Sequence, residues 1–271
     1  AVSRLGKLET SVTDSNLAGA YYNKGIAHYH RGQYELAIEN WNQVIRINPG
    51  HGKAYNNRGL AYNNLGQYER AIQDFDDAIR LNSEYSIAYN NRGRAYDNLG
   101  QYARAIQDYD EAISINPKFA VAFRNRGLAY GKLDQHQRAI SEFDQAISLN
   151  PQYSIAYNDR GFAYRKLGQY ERAIQDYNEA LRLDPQYSIA YYNRGTSQYY
   201  LGEYEPAIRD FDEAIYLNPK FAAAYNNRGF SYHNLGQYER AIQDYDQAIR
   251  LNPSASITYN NRGLSYNNLG Q

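Results

Sequence analysis

Five histidines, His28, His30, His51, His136 and His233, are the first side chains to test for chemistry, because imidazole is a common metal ligand and general base near neutral pH. None lies in a His-Glu-x-x-His run or has a second ligand four residues on, so no helix face presents a metal pair. Asp74, Asp76 and Asp77 bring carboxylates together, but they lack the Gly turn and terminal Glu of a calcium loop and read as the polar face of a helix. There is no cysteine, which removes disulfides, thiolate zinc sites and a cysteine nucleophile. A Gly-rich phosphate loop and a Gly-x-Ser-x-Gly elbow are also absent from the sequence. Catalysis, metals and cofactors are therefore not expected. The 29 acidic residues balance the 29 basic ones, so the cationic surplus that nucleic-acid binding requires is missing and no nucleic-acid partner is expected. No apolar run approaches the ~20 residues of a membrane span, so no membrane insertion is expected. The chain opens at Ala1 without a charged start and apolar stretch. Lack of cysteine suits the cytosol and the cell exterior equally.

The polar residues that remain recur in columns, and the columns expose the elements that carry them. Gly25, Gly59, Gly93, Gly127, Gly161, Gly195, Gly229 and Gly263 stand 34 residues apart, and Ala37 through Ala241 keep the same period. Seven units follow: 18–51, 52–85, 86–119, 120–153, 154–187, 188–221 and 222–255. Residues 256–271 supply half of an eighth. In the fifth unit Tyr157, Gly161 and Tyr164 mark one helical stripe, helix A. Gly168 interrupts it, and Tyr170, Ala173, Ile174, Tyr177, Ala180 and Leu181 mark helix B, which stops at Asp184-Pro185. An Asx at that stop is expected to take a left-handed cap. Small residues at the stripe centres let two helices approach closely, which predicts an antiparallel pair. A single pair cannot bury its own apolar face, whereas a stack of pairs can.

The series Tyr157, Gly161, Tyr164, Ala173, Tyr177, Ala180 and Pro185 resembles the tetratricopeptide repeat signature, and the resemblance covers residues 18–271. Ser83, Asp134, His136 and Gln198 depart from it, and Pro206 falls in the first turn of a helix B, where a missing N–H costs little. The resemblance implies an all-α, right-handed α-solenoid superhelix forming one domain, with helix A lining a concave wall that binds peptide or protein. Arg58, Arg92, Arg126, Arg160, Arg194, Arg228 and Arg262 stand where the family often has Leu. With Asp74, Asp108, Glu142, Asp176, Asp210 and Asp244 on helix B they suggest a ladder between helices, the first repeat carrying Lys24 and Asn40 instead; a row of ligand-binding arginines is the alternative.

On that wall Ile155, Asn158, Phe162, Arg165 and Lys166 share one face of helix A. Beside them runs a column of Asn57, Asn91, Asn125, Asn193, Asn227 and Asn261, with Asp159 in the fifth unit. The resemblance implies that such a column can bond the main chain of an extended peptide; the same amides could instead bond neighbouring helices. Arg124, Lys132, Arg165 and Lys166 form a basic stretch, and Tyr192, Tyr199 and Tyr200 an aromatic one. Together they suit an acidic peptide with an aromatic anchor. The inner wall carries Asn with Leu or Phe where the family's carboxylate clamp needs Lys and Asn, which disfavours that ligand.

The ends permit a different function. Residues 1–17 carry Leu5, Leu8 and Val12 on a weak helical stripe that Thr13 to Asn16 should close as the cap of the next helix, making a helical half-repeat. Residues 256–271 bring Tyr259, Leu264, Tyr266 and Leu269 on a helix A without its helix B. Joining tail to head keeps the 34-residue phase to within one residue, so a head-to-tail homopolymer, a filament, is the rival expectation; a window of a longer array, whose next residues supply the missing helix B, accounts for the same end equally. An extracellular location would follow from the filament, and a cytoplasmic one otherwise.

Overall fold

A computed structural model describes the backbone of residues 2–270 and the side chains of residues 14–270. All regular elements among the described residues are helices, and they fall into two units, residues 1–134 and residues 135–271. The first unit holds α1 (Val2–His30), α2 (Tyr34–Ile47), α3 (Gly52–Asn64), α4 (Tyr68–Leu81), α5 (Ser86–Asn98), α6 (Tyr102–Ile115) and α7 (Ala120–Lys132). The second holds α8 (His136–Leu149), α9 (Ser154–Lys166), α10 (Tyr170–Leu183), α11 (Ser188–Tyr200), α12 (Tyr204–Leu217), α13 (Ala222–Asn234), α14 (Tyr238–Leu251) and α15 (Ser256–Asn268). In each unit a helix A packs against its own helix B and against the helix A of the next repeat, while helix B packs on the following helix A. That is the layering of an α-solenoid.

Helix B presents the apolar stripe the sequence predicts: Ala173, Tyr177, Ala180 and Leu181 of α10 are buried. Helix A presents small residues, with Ala156, Gly161 and Ala163 of α9 buried. Their smallness has a steric reason. A Cβ placed on Gly161 would stand 2.9 Å from the Tyr177 ring and 3.1 Å from the Ala173 carbonyl oxygen. Gly59 faces Phe75, Gly93 faces Tyr109, Gly195 faces Phe211 and Gly229 faces Tyr245 in the same way. These repeats thus seat a ring of helix B directly on the backbone of helix A.

Short turns close the hairpins. At the turn from A to B, Gly66 has φ +73°, and Asp134 takes φ 57° where the other repeats have glycine; Asp tolerates the left-handed region better than most residues. At the turn from B to A, Asp184 has φ −137° and is extended rather than left-handed. Its carboxylate oxygen instead accepts from the Gln186 N–H at 3.1 Å. Asn82, Asn116, Asn150 and Asn218 close their turns by the same short bond. The expected left-handed cap is thereby corrected: the side chain supplies the turn, and it does so at Asn82 too, where Ser83 follows in place of Pro.

The N-terminal half-repeat also differs from expectation. α1 runs from Val2 to His30 without a break at Thr13 to Asn16, so those residues do not cap a new helix. Leu5, Leu8 and Val12 lie outside the residues whose side chains are described.

Candidate functional site

The arginine column is built into the framework. Arg160 donates from Nε and Nη2 to both carboxylate oxygens of Asp176 on α10, at 2.8 and 2.6 Å. From Nη1 it donates to Asp144 of the preceding helix B at 2.6 Å. Its guanidinium also lies over the Tyr157 ring, 5.6 Å from the centroid. Arg92 and Arg228 repeat the whole arrangement. Arg58 and Arg194 keep the Asp fork and use Asn42 and Asn178 as the second acceptor. Burial pushes the Asp176 carboxyl above its ordinary range, against the pull of Arg160. Burial also opposes the charge of Arg160, but the bonds it donates to the Asp176 and Asp144 carboxylates overcome it and the guanidinium stays protonated. These arginines join consecutive repeats and are not displayed to a ligand.

The asparagine column is spent the same way. Asn91 donates to Asn56, Asn125 to Asn90 and Asn193 to Asn158, at 2.9 to 3.0 Å, and all six amides are buried. Asn57 donates to the Tyr22 hydroxyl and Asn227 to the Tyr192 hydroxyl, each at 3.1 Å. A second ladder runs parallel to it, from Asn64 to Tyr29, Asn98 to Asn63 and Asn234 to Tyr199. Partners 35 residues away hold the amides of Asn91, Asn125 and Asn193 inside the stack, which is the bonding between neighbouring helices that the column also allowed.

The candidates for specificity divide. Lys132 is paired with Asp97 at 2.5 Å. Arg124 is half-buried and engaged in an interaction. Tyr192 is half-buried against Phe211 and Phe221. Tyr199 stacks on Phe230 at 5.2 Å, and burial raises its phenol above the ordinary value. By contrast, Tyr200 is 57% exposed and held in place by stacking on Tyr170 at 5.3 Å. Phe162 is 39% exposed with the Arg165 guanidinium 4.7 Å and the Lys166 ammonium 5.5 Å from its ring. Ile155 and Ile189 complete an exposed apolar row on α9 and α11.

Spacing did not single out a hollow in the first unit. A cavity of about 250 Å³ is lined by Ile26, Tyr29, His30, Trp41, Asn57 and Leu60. The lone Trp was the available signal, but nothing in its spacing joins it to Leu60. At the C-terminal helix, Tyr259 and Leu264 are exposed, while Tyr266 and Leu269 are half-buried. Nothing lies within 4 Å of a Cβ built on Gly263, and Arg262 bonds Asp246. Among the described residues no group of three His, Asp or Glu could hold a metal ion, and no helix is long and apolar enough to cross a membrane.

Stacked helix hairpins joined by buried polar ladders define an α-solenoid of repeats. The tetratricopeptide repeat pattern matches residues 18–51, 52–85, 86–119, 188–221 and 222–255, with related patterns of the same repeat at 120–153, 142–175 and 161–199. The chain belongs to the tetratricopeptide repeat family. Among solved structures it is similar to a tetratricopeptide repeat protein from Parabacteroides merdae, at 20% identity and a TM-score of 0.70, over 93% of this chain and 99% of that one. It is also similar to YrrB, a TPR protein with an unusual peptide-binding site, at 24% identity and a TM-score of 0.56, over 69% of this chain and 96% of that one. PilW, a type IV pilus biogenesis factor, matches at 20% identity and a TM-score of 0.71, over 77% of this chain and 97% of that one. At these identities the likeness establishes the fold. No curated protein matches the chain. The repeat fold is typical of non-enzymatic scaffolds that bind protein or peptide.

Proposed function

We propose that the chain binds an extended peptide or a segment of a partner protein on the helix A face of its repeats, without catalysing a reaction. The observation that carries this is the exposed row on α9 and α11, where Phe162 and Tyr200 stand in solvent beside Arg165 and Lys166. Exposed aromatic rings flanked by cations are the anchors that hot spots use, and they suit a ligand carrying carboxylates and an aromatic or aliphatic side chain. YrrB, described as having an unusual peptide-binding site, supports a peptide ligand for this fold. The seven repeats with residues 256–271 as a further helix A form one binding domain in this proposal.

Selection from a random peptide library on the immobilised chain supplies the test. Selected peptides should be acidic and should lose at least tenfold in affinity when Phe162 and Tyr200 are both replaced by alanine. Asn193→Ala should instead lower the thermal midpoint through its lost bond to Asn158 and leave affinity within about twofold. Selected peptides that bind the double variant as tightly as the parent would reject the reading.

A second reading has its own observation. The face of α15 at Gly263 is open, whereas helix B covers it at Gly25, Gly59, Gly93, Gly161, Gly195 and Gly229, and Tyr259 and Leu264 are exposed; a second copy stacked head to tail would cover them. Light scattering decides it: growth of mass with concentration supports stacking, and a monodisperse monomer at micromolar concentration rejects it.

A further inference from the structure

The residue just before each helix A is a ring in six successive repeats: His51, Tyr85, Phe119, Tyr153, Tyr187 and Phe221. Contacts of three of these rings define the seat. The ring of His51 lies 4.9 Å from that of Tyr22, and the ring of Phe221 lies 4.8 Å from that of Tyr192, the partner in each case being 29 residues earlier. Tyr187 packs against the core formed by Ala180, Leu181 and Ala190. Before α15 the ring is missing, because Ala255 occupies the position.

At that place the structure has a cavity of about 300 Å³, within the lower range of ligand pockets. Its walls are the walls of the vacated seat. Asn226, 29 residues before Ala255, lines it at the position that Asn56, Asn90 and Asn158 hold before Tyr85, Phe119 and Tyr187, and Tyr22 and Tyr192 before His51 and Phe221. Ala248 and Thr258 line it where Ala180 and Ala190 hold Tyr187. Ala223 and Ile257 complete an apolar mouth, and the Ser254 and Asn252 side chains give it a polar edge. Ile257 is 71% exposed, so the mouth is open to solvent.

We infer that this cavity is a receptor for one aromatic side chain, Tyr or Phe, delivered by a bound peptide. The filled seats show which chemistry fits, since the fold places Tyr, Phe and His rings in the same surroundings within the chain. Ring burial and ring packing supply the attraction, and the preformed walls mean that little must be reorganised on binding. The inference rests on the proposal that the helix A face takes a peptide, because Ala223, Asn226 and Ile257 belong to that face, and it adds an anchor well away in sequence from Phe162 and Tyr200.

The test uses the intact chain and N-acetyl-tyrosinamide as probe, read by methyl and amide NMR. Saturable shifts are expected at Ala248, Ala255, Ile257 and Thr258, with N-acetyl-alaninamide binding at least tenfold more weakly. Ala255→Tyr rebuilds the ring in place; it should raise the thermal midpoint and abolish those shifts. Ala223→Leu narrows the mouth from α13 and should weaken the probe severalfold, which keeps the test sound if the first variant folds poorly. Phe162→Ala with Tyr200→Ala should leave the probe's binding unchanged, so a failure here is separable from a failure of the wider peptide reading. Absence of saturable shifts at these residues in the parent, or shifts undiminished in both cavity variants, overturns the inference.

Discussion

Arg160 shows how a single side chain serves two repeats. Asp176 is 8% exposed at its side chain and Asp144 is 48% exposed, so the two acceptors of one guanidinium should not be equivalent. Asp176→Ala leaves a partly buried fork unmatched and should cost about 3 kcal/mol. Asp144→Ala should cost under about 1 kcal/mol. Urea denaturation of the two variants checks the contrast. The buried phenols give a pH dependence with a definite sign. Tyr109, Tyr177 and Tyr245 are raised above the ordinary phenol value, chiefly by burial. In the unfolded chain they ionise near about pH 10, so stability is intact below that and falls as pH rises, by about 1.4 kcal/mol per pH unit for each phenol. The hydroxyls of Tyr177 and Tyr245 lie buried without a hydrogen bond of good geometry, and weaker approaches of Arg165 and Ser265 only reduce the shift. Phe75 and Phe211 already fill the equivalent seats. Tyr177→Phe and Tyr245→Phe should therefore fold normally at neutral pH and move the alkaline unfolding midpoint upward; an unchanged midpoint would refute the burial account.

At the scale of the element, one sequence position carries opposite expectations in two repeats. Gly161→Ala forces a Cβ against the Tyr177 ring and the Ala173 carbonyl oxygen, and overpacking of this kind costs roughly 1–3 kcal/mol. Gly263→Ala meets nothing within 4 Å and should gain up to about 1 kcal/mol from helix propensity. Thermal midpoints moving in opposite directions would support the close-approach explanation. If copies stack through α15, Gly263→Ala should also weaken the stacking, which ties the substitution to light scattering. These elements were legible because period, ring and glycine recur in fixed phase, and the Arg to Asp pairing within a repeat follows from the same phase. The asparagine ladder was not, because adjacent columns on a helix differ by about 100°, and sequence alone does not decide which faces the next repeat. Asn193 could be read as facing a groove or facing Asn158, and only the structure brings those two amides to 3.0 Å. The cavity at Ala255 was not read from the sequence: its volume depends on Thr258 and Ile257 leaving it unfilled, which spacing does not state.

At the scale of the whole molecule, the arginine and asparagine columns join repeats, and the proposed binding falls to side chains that break the repetition. Phe162, Arg165, Lys166 and Tyr200 are such side chains, and their position on helix A is what makes that face the proposed binding surface. Hydrogen–deuterium exchange and methyl NMR on the chain bound to a library-selected peptide locate the contact most directly. The account predicts perturbation concentrated at Ile155, Phe162, Ile189 and Tyr200 on α9 and α11, with the exposed faces of α10 and α12 unchanged. A footprint confined to α10 and α12, with Phe162 and Tyr200 undisturbed, would contradict it.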